Sequence, residues 1–433
     1  MNNDTIFALS SGRGKSGVAV IRISGENLAD AAAQMIGRNA QPRHAHFVNL
    51  RDTAGDLIDQ CLILYFPGPN SFTGEDVIEI HSHGADAVIE KIFSHLSSLG
   101  ARMATPGEFS RRAFYNNKMD LTDVDGLAAL LDARTERQRK SALRSLCGGD
   151  GRVYAAWRKD MIDIAAYAAA VLDYASDDLP ENIGDLLRTR TQKLYDEISA
   201  ALTRSNASRA VRSGFNIAIT GAPNVGKSSL FNKILGANRA IVSDIAGTTR
   251  DVVDAEMDID GYLVRFLDTA GLRDNAADMV EKIGIERTRD VMRDADLIIR
   301  VYAGNDGAHA DLDAGEMLVI NKSDLIAGAD KNVPGAIYTS TVLDGGIDEF
   351  MSTLRTRIHQ MLDGAESDIV INARTYALLN DAAAELNNAM TAPDWDIFSE
   401  HTRRAADSIG KILGLITAND VMDATFGQLC LGK

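Results

Sequence analysis

The residues with the clearest chemical capacity form the stretch Gly221-Ala222-Pro223-Asn224-Val225-Gly226-Lys227-Ser228, which has the spacing G-x-x-x-x-G-K-S. The two glycines let the backbone bend so that successive N–H groups point at a polyphosphate. The ammonium group of Lys227 can reach the β and γ phosphates, and the hydroxyl of Ser228 can bind Mg²⁺. The stretch therefore predicts a phosphate-binding loop, with nucleotide contacts from Asn224, Val225, Gly226, Lys227, Ser228 and Ser229.

The elements on either side of this loop are those that a phosphate site needs. Before it, Phe215, Ile217 and Ile219 alternate with other residues as in a buried strand. After it, apolar residues at helical spacing predict a helix that begins near Ser228 and turns its positive dipole end toward the phosphates. The alternative, a chance glycine-rich turn, would not require this order of strand, loop and helix.

Two later stretches have residue types that could sense the γ-phosphate. In Gly247-Thr248-Thr249-Arg250 a threonine hydroxyl, for which we choose Thr249, can join the Mg²⁺ shell when the γ-phosphate is present. A strand at 263–267 leads into Asp268-Thr269-Ala270-Gly271, whose aspartate can hold the water shell of the metal. The N–H of the last glycine can sense the γ-phosphate. The nucleotide contacts predicted here are Ser243, Asp244, Ile245, Ala246, Gly247, Thr248, Thr249, Asp268, Thr269, Ala270 and Gly271.

Two further stretches predict that the base is guanine. A strand at 318–320 ends in Asn321-Lys322-Ser323-Asp324, and the Asp324 carboxylate can accept two N–H bonds from the guanine edge. Adenine would leave this carboxylate unpaired, and that penalty sets the base choice. Tyr338-Thr339-Ser340-Thr341 can place a backbone N–H near the guanine oxygen, although many GTPases have Ser-Ala where this chain has Ser-Thr. The contacts predicted here are Asn321, Lys322, Asp324, Ser340 and Thr341.

Five such stretches in this order, each at the end of a strand, resemble a small GTPase domain of the translation-factor-related class, with a Ras-like α/β fold. Leu272 stands where many GTPases have a glutamine that orients the attacking water, and leucine cannot form that hydrogen bond. Another group must therefore position the water. The candidates for this catalytic role are Arg250, Arg273 and Glu281, and the alternative for all three is solvated loop charge.

The overall composition limits the kind of partner. The 433 residues carry a formal net charge of −16, which argues against a broad basic face that binds nucleic acid unaided. RNA contact would need a local basic patch or a partner protein, and we expect no DNA partner. Three widely spaced cysteines suit reduced thiols, and the chain shows neither a secretory signal nor a membrane-spanning run. We therefore expect a cytoplasmic protein without membrane contact.

The order of predicted elements indicates an α/β multidomain protein. Residues 1–118 predict an α+β domain, and the nucleotide-binding domain occupies 214–361. Helical patterning fills 119–213 and resumes at 362–433. One discontinuous all-α helical domain with an inserted P-loop GTPase domain explains this order, because neither helical part must then bury its apolar stripe alone. The elements predicted in the first domain are strands at 5–9, 18–23, 61–66 and 77–81 and a helix at 85–99.

Two features of the first domain have simpler explanations than a ligand site. The glycine-rich stretch 11–17 lacks the spacing of a phosphate loop and is interpreted as a connection between strands. His81 and His83 are two residues apart, hence on one face of a strand, but no carboxylate or thiol is spaced to complete a metal shell. We predict a structural or hydrogen-bonding role for them.

The chain as a whole resembles the MnmE (TrmE) family of tRNA-modification GTPases. The likeness is carried by Pro69-Asn70-Ser71-Phe72-Thr73-Gly74-Glu75-Asp76, by Pro106-Gly107-Glu108-Phe109-Ser110, by Asp244-Ile245-Ala246-Gly247-Thr248-Thr249-Arg250-Asp251 and by the terminal Cys430-Leu431-Gly432-Lys433. The terminal motif is specific because of its position, since residues at a C-terminus are ordinarily dispensable.

This resemblance implies a homodimer whose GTPase domains meet when K⁺ is bound, which activates hydrolysis. A fixed monovalent cation between phosphates would stabilise the charge that develops in the transition state. The resemblance also implies that Glu281 is the acid residue, acting on the attacking water through a second water. The K⁺ ligands that it implies are Asn224, Ser243, Ile245 and Thr248.

The resemblance further implies that residues 1–118 dimerise and bind 5-formyl- or methylene-tetrahydrofolate. Arg22 and Lys118 are assigned to the glutamate carboxylates of the folate and Glu79 to the N–H edge of its pterin, with Lys433 approaching from the C-terminus. The family works with the FAD-containing partner MnmG (GidA) in a heterotetramer. Together they place a carboxymethylaminomethyl or aminomethyl group on C5 of the wobble uridine of certain tRNAs.

Two other functions stay open at this point. A ribosome-assembly GTPase that binds RNA as a switch predicts a basic module after the GTPase domain, whereas 362–433 is a helical tail of balanced charge. A pterin-dependent enzyme gated by GTP, with no RNA product, requires no tRNA modification at all.

Overall fold

The computed structural model describes residues 4–173, 182–237, 253–267, 292–293, 295–304, 315–326, 333–365 and 369–415. The predicted contacts at 243–250 and 268–273 lie outside these residues, as do Glu281 and the terminal motif with Lys433. Within the described part of the chain, no helix combines the length and the apolar character that a membrane span requires.

The described residues divide into two compact units. The first takes in the described parts of Met1–Ala128, Ser145–Pro180 and Ala392–Lys433, and the second takes in those of Ala129–Arg144 and Glu181–Thr391. Each unit thus combines a β-sheet with helices from distant parts of the sequence. The domain boundaries at 118, 213 and 361 stay predictions.

The first unit begins with a six-stranded sheet and two helices that pack on it. In chain order the elements are β1 (Ile6–Leu9), β2 (Ser16–Gly25), α1 (Ala29–Ile36), β3 (His46–Arg51), β4 (Leu57–Phe66), β5 (Asp76–Gly84), α2 (Asp86–Ser98) and β6 (Arg102–Met103). The strand order is β3-β4-β5-β2-β1-β6, and only β1 and β6 run parallel. The four predicted strands and the predicted helix are confirmed, whereas the sequence pattern does not indicate α1, β3 and β6.

The two faces of this sheet differ because side chains alternate along each strand. Ile21 of β2 and Ile80 of β5 belong to the core cluster on the face that α1 and α2 cover. Their chain neighbours Arg22 and Glu79 therefore lie on the opposite face. That second face keeps large apolar side chains in contact with solvent, among them Phe47 and Leu62, which are 65% and 39% exposed.

Five helices follow in the described part of the chain. They are α3 (Glu108–Tyr115), α4 (Leu121–Asp132), α5 (Glu136–Leu146), α6 (Gly149–Asp173) and α7 (Ile183–Ser213). The helical patterning at 119–213 predicts a core-facing apolar stripe, and in α6 four residues of it are buried, namely Trp157, Met161, Ile164 and Ala168. In the first unit α3 covers the sheet near β1, where Phe109 packs with Ile6.

The second unit contains another six-stranded sheet. Its elements are β7 (Phe215–Thr220), α8 (Lys227–Ala237), β8 (Val253–Ile259), β9 (Tyr262–Leu267), β10 (Leu297–Ala303), β11 (Met317–Asn321), a 3₁₀ turn (Ser323–Leu325), β12 (Ile337–Tyr338) and α9 (Asp348–Leu362). The strand order is β12-β11-β10-β7-β9-β8, with only β8 antiparallel to its neighbour. The strands predicted at 215–219, 263–267 and 318–320 are confirmed.

The position of β7 in this sheet explains where a ligand can bind. Its parallel neighbours β10 and β9 lie on opposite sides of it, so the strand order reverses there. Open parallel sheets bind ligands at the carboxyl ends of the strands beside such a reversal. The loop Gly221–Gly226 leaves the carboxyl end of β7 at this position and leads directly into α8.

The helices after the second sheet return to those that precede it. They are α10 (Ala373–Thr391) and α11 (Trp395–Leu413). In the first unit α11 packs along α6, and in the second unit α10 packs along α7. The helical patterning at 362–433 predicts apolar residues at steps of three and four, and Ile409, Ile412 and Leu413 of this pattern are buried. Within each unit, a helix that precedes the second sheet thus packs with a helix that follows it.

Candidate functional site

The loop between β7 and α8 has a backbone that only glycine can adopt at two positions. Gly221 and Gly226 have φ of +150° and +95°, which side-chain-bearing residues rarely reach. A Cβ atom on Gly221 would overlap the carbonyl oxygen of Val301, and one on Gly226 would overlap the side-chain amide of Asn321. The loop is therefore held close to the ends of β10 and β11.

The cationic and hydroxyl groups of the loop are where a triphosphate would need them. Nζ of Lys227 donates to the carbonyl oxygens of Gly221 and Ala222, at 2.9 Å each, so the ammonium group lies across the loop. Ser228 and Ser229 are exposed in the first turn of α8. An ammonium group, hydroxyls and the N–H groups of a helix start fit a polyphosphate with Mg²⁺.

Residues of the Asn321–Asp324 stretch donate hydrogen bonds to this loop and support it. The sequence alone does not indicate this role. Asn321 is 1% exposed, and its Nδ2 donates to the carbonyl oxygen of Val225 at 3.0 Å. Thr339 donates from Oγ1 to Oδ1 of Asn321 at 3.2 Å. Lys322 donates from Nζ to the carbonyl oxygen of Asn224 at 2.6 Å. The guanine motif and the phosphate loop thus form one connected structure.

The predicted guanine contact, Asp324, is exposed and held in place by a buried hydroxyl. Oγ of Ser340 donates to Oδ1 of Asp324 at 2.6 Å, and Ser340 is 1% exposed. The carboxylate keeps enough lone pairs to accept two N–H bonds from a base. The N–H of Ser340 donates to the carbonyl oxygen of Gly346 at 2.8 Å, which fixes the turn that contains Ser340 and Thr341.

Comparison with known proteins extends the likeness over the whole chain. The family described as GTP-binding protein TrmE N-terminus matches residues 5–118, and the MnmE helical domain matches 121–430. The tRNA modification GTPase MnmE of Rhodospirillum rubrum is 39% identical over 456 residues, which cover 100% of both chains. That of Parvibaculum lavamentivorans is 41% identical and covers 99% of this chain and 100% of its own. This chain belongs to the MnmE family.

Membership of the MnmE family makes this chain a GTPase, with GTP as its nucleotide and Mg²⁺ as the metal of that site. It also confirms the predicted fold class. A solved structure of Era in complex with MgGDPNP and nucleotides 1506-1542 of 16S ribosomal RNA is 27% identical over 33% of this chain and 56% of that chain. Its TM-score is 0.26, so this likeness adds nothing to the assignment.

The structure joins two of the residues that the MnmE resemblance assigns to folate. Nε and Nη2 of Arg22 donate to Oε1 of Glu79 at 3.1 and 2.9 Å, across the paired strands β2 and β5. His81 places Nε2 at 3.2 Å from Oε2 of Glu79. Lys118 is exposed beyond the end of α3. The hydrogen-bonding role of both histidines is confirmed, since Nδ1 of His83 lies 2.8 Å from Oδ1 of Asp59.

This ion pair gives the local surroundings of Arg22. The sequence-based assignment put Arg22 at the glutamate end of the folate and Glu79 at the pterin. The ion pair places the two groups side by side on one face of the sheet, and their separate assignments to the folate stay predictions. The Arg22 guanidinium also lies 4.9 Å from the ring centroid of Phe72, and its side chain is only 19% exposed.

A second network in the same unit explains two of the family motifs. Nη1 of Arg112 donates to Oε2 of Glu75 at 2.9 Å, and its Nη2 lies 3.2 Å from Oε1 of Glu108. Nη1 and Nη2 of Arg102 donate to both oxygens of Glu108 at 2.9 and 2.6 Å. Ser24 donates to the same Glu75 oxygen at 2.8 Å. The glutamates of the two motifs, Glu75 and Glu108, are therefore partners of arginines.

The ionisation of Glu108 should make this unit sensitive to acid. Burial opposes ionisation, but hydrogen bonds from Arg102 and from the N–H of Thr105 outweigh it and lower the pKa of Glu108 to about 2, from 4.5. The carboxylate thus contributes stability above pH 4.5, and that contribution is lost as the pH falls toward 2. We expect Glu108→Gln to lower the unfolding free energy at pH 7 by about 3 kcal/mol, and by much less at pH 3.

Urea unfolding of the full chain at both pH values measures this effect. Glu136→Gln is the control, because Glu136 is exposed and pairs only with residues of its own helix in the described structure. It should change the unfolding free energy little at either pH. An equal loss for Glu108→Gln at pH 7 and pH 3 would show that the carboxylate charge is not the source of the stability.

Proposed function

We propose that this chain couples GTP hydrolysis to modification of tRNA. With an FAD-containing MnmG partner, in a heterotetramer, it installs a carboxymethylaminomethyl or aminomethyl group at C5 of the wobble uridine of certain tRNAs. The observation that supports this most is the arrangement of the predicted guanine site, in which Lys322 and Asn321 donate hydrogen bonds to the phosphate loop and Ser340 donates one to Asp324. Full-length relatives that are named tRNA modification GTPase MnmE supply the link to tRNA.

Nucleoside analysis of tRNA from a deletion strain tests this function. We expect the modified wobble uridine to disappear and to return when the wild-type gene is supplied on a plasmid. A Lys227→Ala gene should not restore it, because the variant lacks the ammonium group that contacts the phosphates. An unchanged nucleoside pattern in the deletion strain would exclude the proposed function.

We assign the ions and the hydrolytic groups of the nucleotide site as follows. Mg²⁺ binds Ser228 and Thr249, and the attacking water is positioned by Glu281, with Arg250 and Arg273 as further candidates. Of the residues in this assignment, the structure describes Ser228, exposed at the start of α8, and Asn224, exposed in the loop before it. A cation beside the phosphates stabilises the charge that develops during hydrolysis. The proposed K⁺ ligands are Asn224, Ser243, Ile245 and Thr248.

Replacing K⁺ with Na⁺ should slow GTP hydrolysis on the order of 10-fold or more without abolishing GTP binding. Asn224 offers its side-chain oxygen from an exposed position with φ of +64°. Asn224→Gly removes this oxygen and tolerates the same backbone. We expect the variant to hydrolyse GTP at similar low rates in both salts. Equal turnover of the wild type in K⁺ and Na⁺ would remove Asn224 from the ion site.

We also propose that the first unit binds a 5-formyl- or methylene-tetrahydrofolate, which would supply the one-carbon group. Glu79 accepts N–H bonds from the pterin, and Arg22 orients this carboxylate. Arg22 and Lys118 pair with the glutamate carboxylates, and Lys433 approaches from the C-terminus. The fit rests on the half-buried Glu79, which keeps acceptor positions beside its two partners, and on the nearby Phe72 ring. Calorimetry with 5-formyltetrahydrofolate tests it, and no uptake by the wild type would refute it.

The homodimer that we propose would form through the second face of the first sheet, at its exposed part on β3 and β4. Phe47 pairs with Leu62 across β3 and β4, and Leu62 pairs with His81 across β4 and β5. Exposed apolar side chains thus adjoin the Glu79 site on one face. Such a face is typical of an interface. A monomer mass in light scattering of the purified chain would contradict this proposal.

A further inference from the structure

The hairpin formed by β8 and β9 connects the two stretches that are predicted to sense the γ-phosphate. Val253, where β8 begins, lies three residues after Arg250. Leu267, where β9 ends, directly precedes Asp268. A change of position in either stretch would therefore act on a strand of this hairpin. The turn Asp260-Gly261 lies at the far end of the hairpin, where a displacement of the strands can move the residues packed against it.

Helix α5 contacts the hairpin at that far end through Arg137. The Arg137 guanidinium lies 4.1 Å from the ring centroid of Tyr262, and its Nε donates to the carbonyl oxygen of Asp260 at 3.2 Å. Gly261 leaves little room, since a Cβ atom there would lie 3.2 Å from Cγ of Arg137. Tyr262 is 1% exposed, so the ring that Arg137 covers belongs to the core of the unit.

A second arginine just before α5 contacts the strands themselves. Arg134 forms an ion pair with Glu256 of β8, and Nε of Arg265 on β9 donates to the same carboxylate at 3.0 Å. The Glu256 side chain is only 13% exposed. Gln138 donates from Nε2 to the carbonyl oxygen of Arg212 at 2.8 Å, which ties α5 to the end of α7. The helix is thus attached to both strands and to the turn of the hairpin.

These contacts are directional and depend on the position of the hairpin. A guanidinium over an aromatic face loses attraction when the ring moves aside, and a half-buried ion pair is costly when its partner withdraws. The other side of the turn is fixed to α9, since Nε2 of His359 lies 3.2 Å from Oδ2 of Asp260. The hydroxyl of Tyr262 donates to Asp363 at 3.0 Å. A shift of the hairpin would therefore weaken the contacts of Arg134 and Arg137 and change how firmly α5 is held.

We propose that the packing of α5 against the hairpin depends on which guanine nucleotide is bound, and that Arg134 and Arg137 make the contacts that couple the two. The two arginines hold the helix against the hairpin more firmly in one nucleotide state than in the other. This inference goes beyond the proposed tRNA chemistry and rests on guanine-nucleotide binding and on the proposed response of the stretches 247–250 and 268–271 to the γ-phosphate. Because coupling between two sites is reciprocal, loosening α5 must also change the preference for one nucleotide over the other.

The affinities of the full-length chain for GDP and for a non-hydrolysable GTP analogue test this proposal. We expect Arg134→Gln and Arg137→Gln to change the ratio of the two dissociation constants about 5-fold or more. A merely structural role would weaken both affinities equally and leave the ratio unchanged. Arg139→Gln is the matched control on the same helix, because Arg139 bonds only to Glu136 in the described structure, at 2.7 and 2.6 Å.

Hydrogen exchange of the wild-type protein gives a second measurement that does not depend on the variants. We expect amides of residues 138–144 to exchange at different rates with GDP and with the GTP analogue bound. Arg137→Gln should remove this difference and Arg139→Gln should keep it. Equal exchange in the two states of the wild type would overturn the proposal, and so would an unchanged affinity ratio in both arginine variants.

Discussion

Asp324→Asn should weaken GTP binding by about 10²- to 10⁴-fold, because two hydrogen bonds between guanine and a charged acceptor are lost or reversed. Ser340 holds Oδ1 of Asp324 at 2.6 Å, so the carboxylate does not have to be ordered when the base arrives. An asparagine in this position presents an amide donor to the donors of guanine. It would suit xanthine, which has a carbonyl oxygen where guanine has its amino group. We therefore expect the variant to prefer xanthosine triphosphate.

Titrations of the full-length chain with both nucleotides measure this reversal. Asp344→Asn is the matched control, because Asp344 is exposed in the loop that follows Ser340 and Thr341. It changes the net charge by the same amount and should leave both affinities unchanged. If Asp324→Asn binds GTP as tightly as the wild type, the guanine site has been placed on the wrong residue.

The sequence is sufficient to predict the parts of the GTPase site that are local in the chain. The phosphate loop and the Asn321–Asp324 stretch each follow a strand with a clear apolar pattern. The sequence therefore shows both the residue types of each motif and its place at the end of a strand. The pattern cannot show that Asn321 supports the loop, since Asn321 and Val225 are 96 residues apart. That contact exists because β11 lies two strands from β7, and strand order is a property of the whole sheet.

The same limit applies to the ion pair of Arg22. Its partner Glu79 is 57 residues away, and the two meet because β2 pairs with β5 in one particular register. A shift of that register by one residue would turn one of them to the other face. The contacts of α5 are even harder to predict from the sequence, because Arg134 and Glu256 are 122 residues apart. The residues show only ordinary surface charge until the fold brings them together.

Gly226→Ala should reduce GTP affinity on the order of 100-fold while the protein stays folded. An alanine at φ of +95° is strained by about 1–3 kcal/mol, and its Cβ atom would overlap the Asn321 amide that supports the loop. Without nucleotide the exposed loop can relax away from this strain. With nucleotide it must adopt the phosphate-binding shape, so the cost appears in binding. A total near 3 kcal/mol corresponds to about 100-fold in the dissociation constant.

Gly236→Ala makes the same chemical change where the structure leaves room for it. Gly236 lies in α8, and a Cβ atom there would meet nothing within 4 Å. Alanine favours the helix over glycine by about 1 kcal/mol, so this variant should bind GTP normally and unfold at a slightly higher temperature. Calorimetric titration and thermal unfolding of both variants separate binding from folding. Normal GTP affinity in Gly226→Ala would mean that the described loop is not the conformation that binds phosphate.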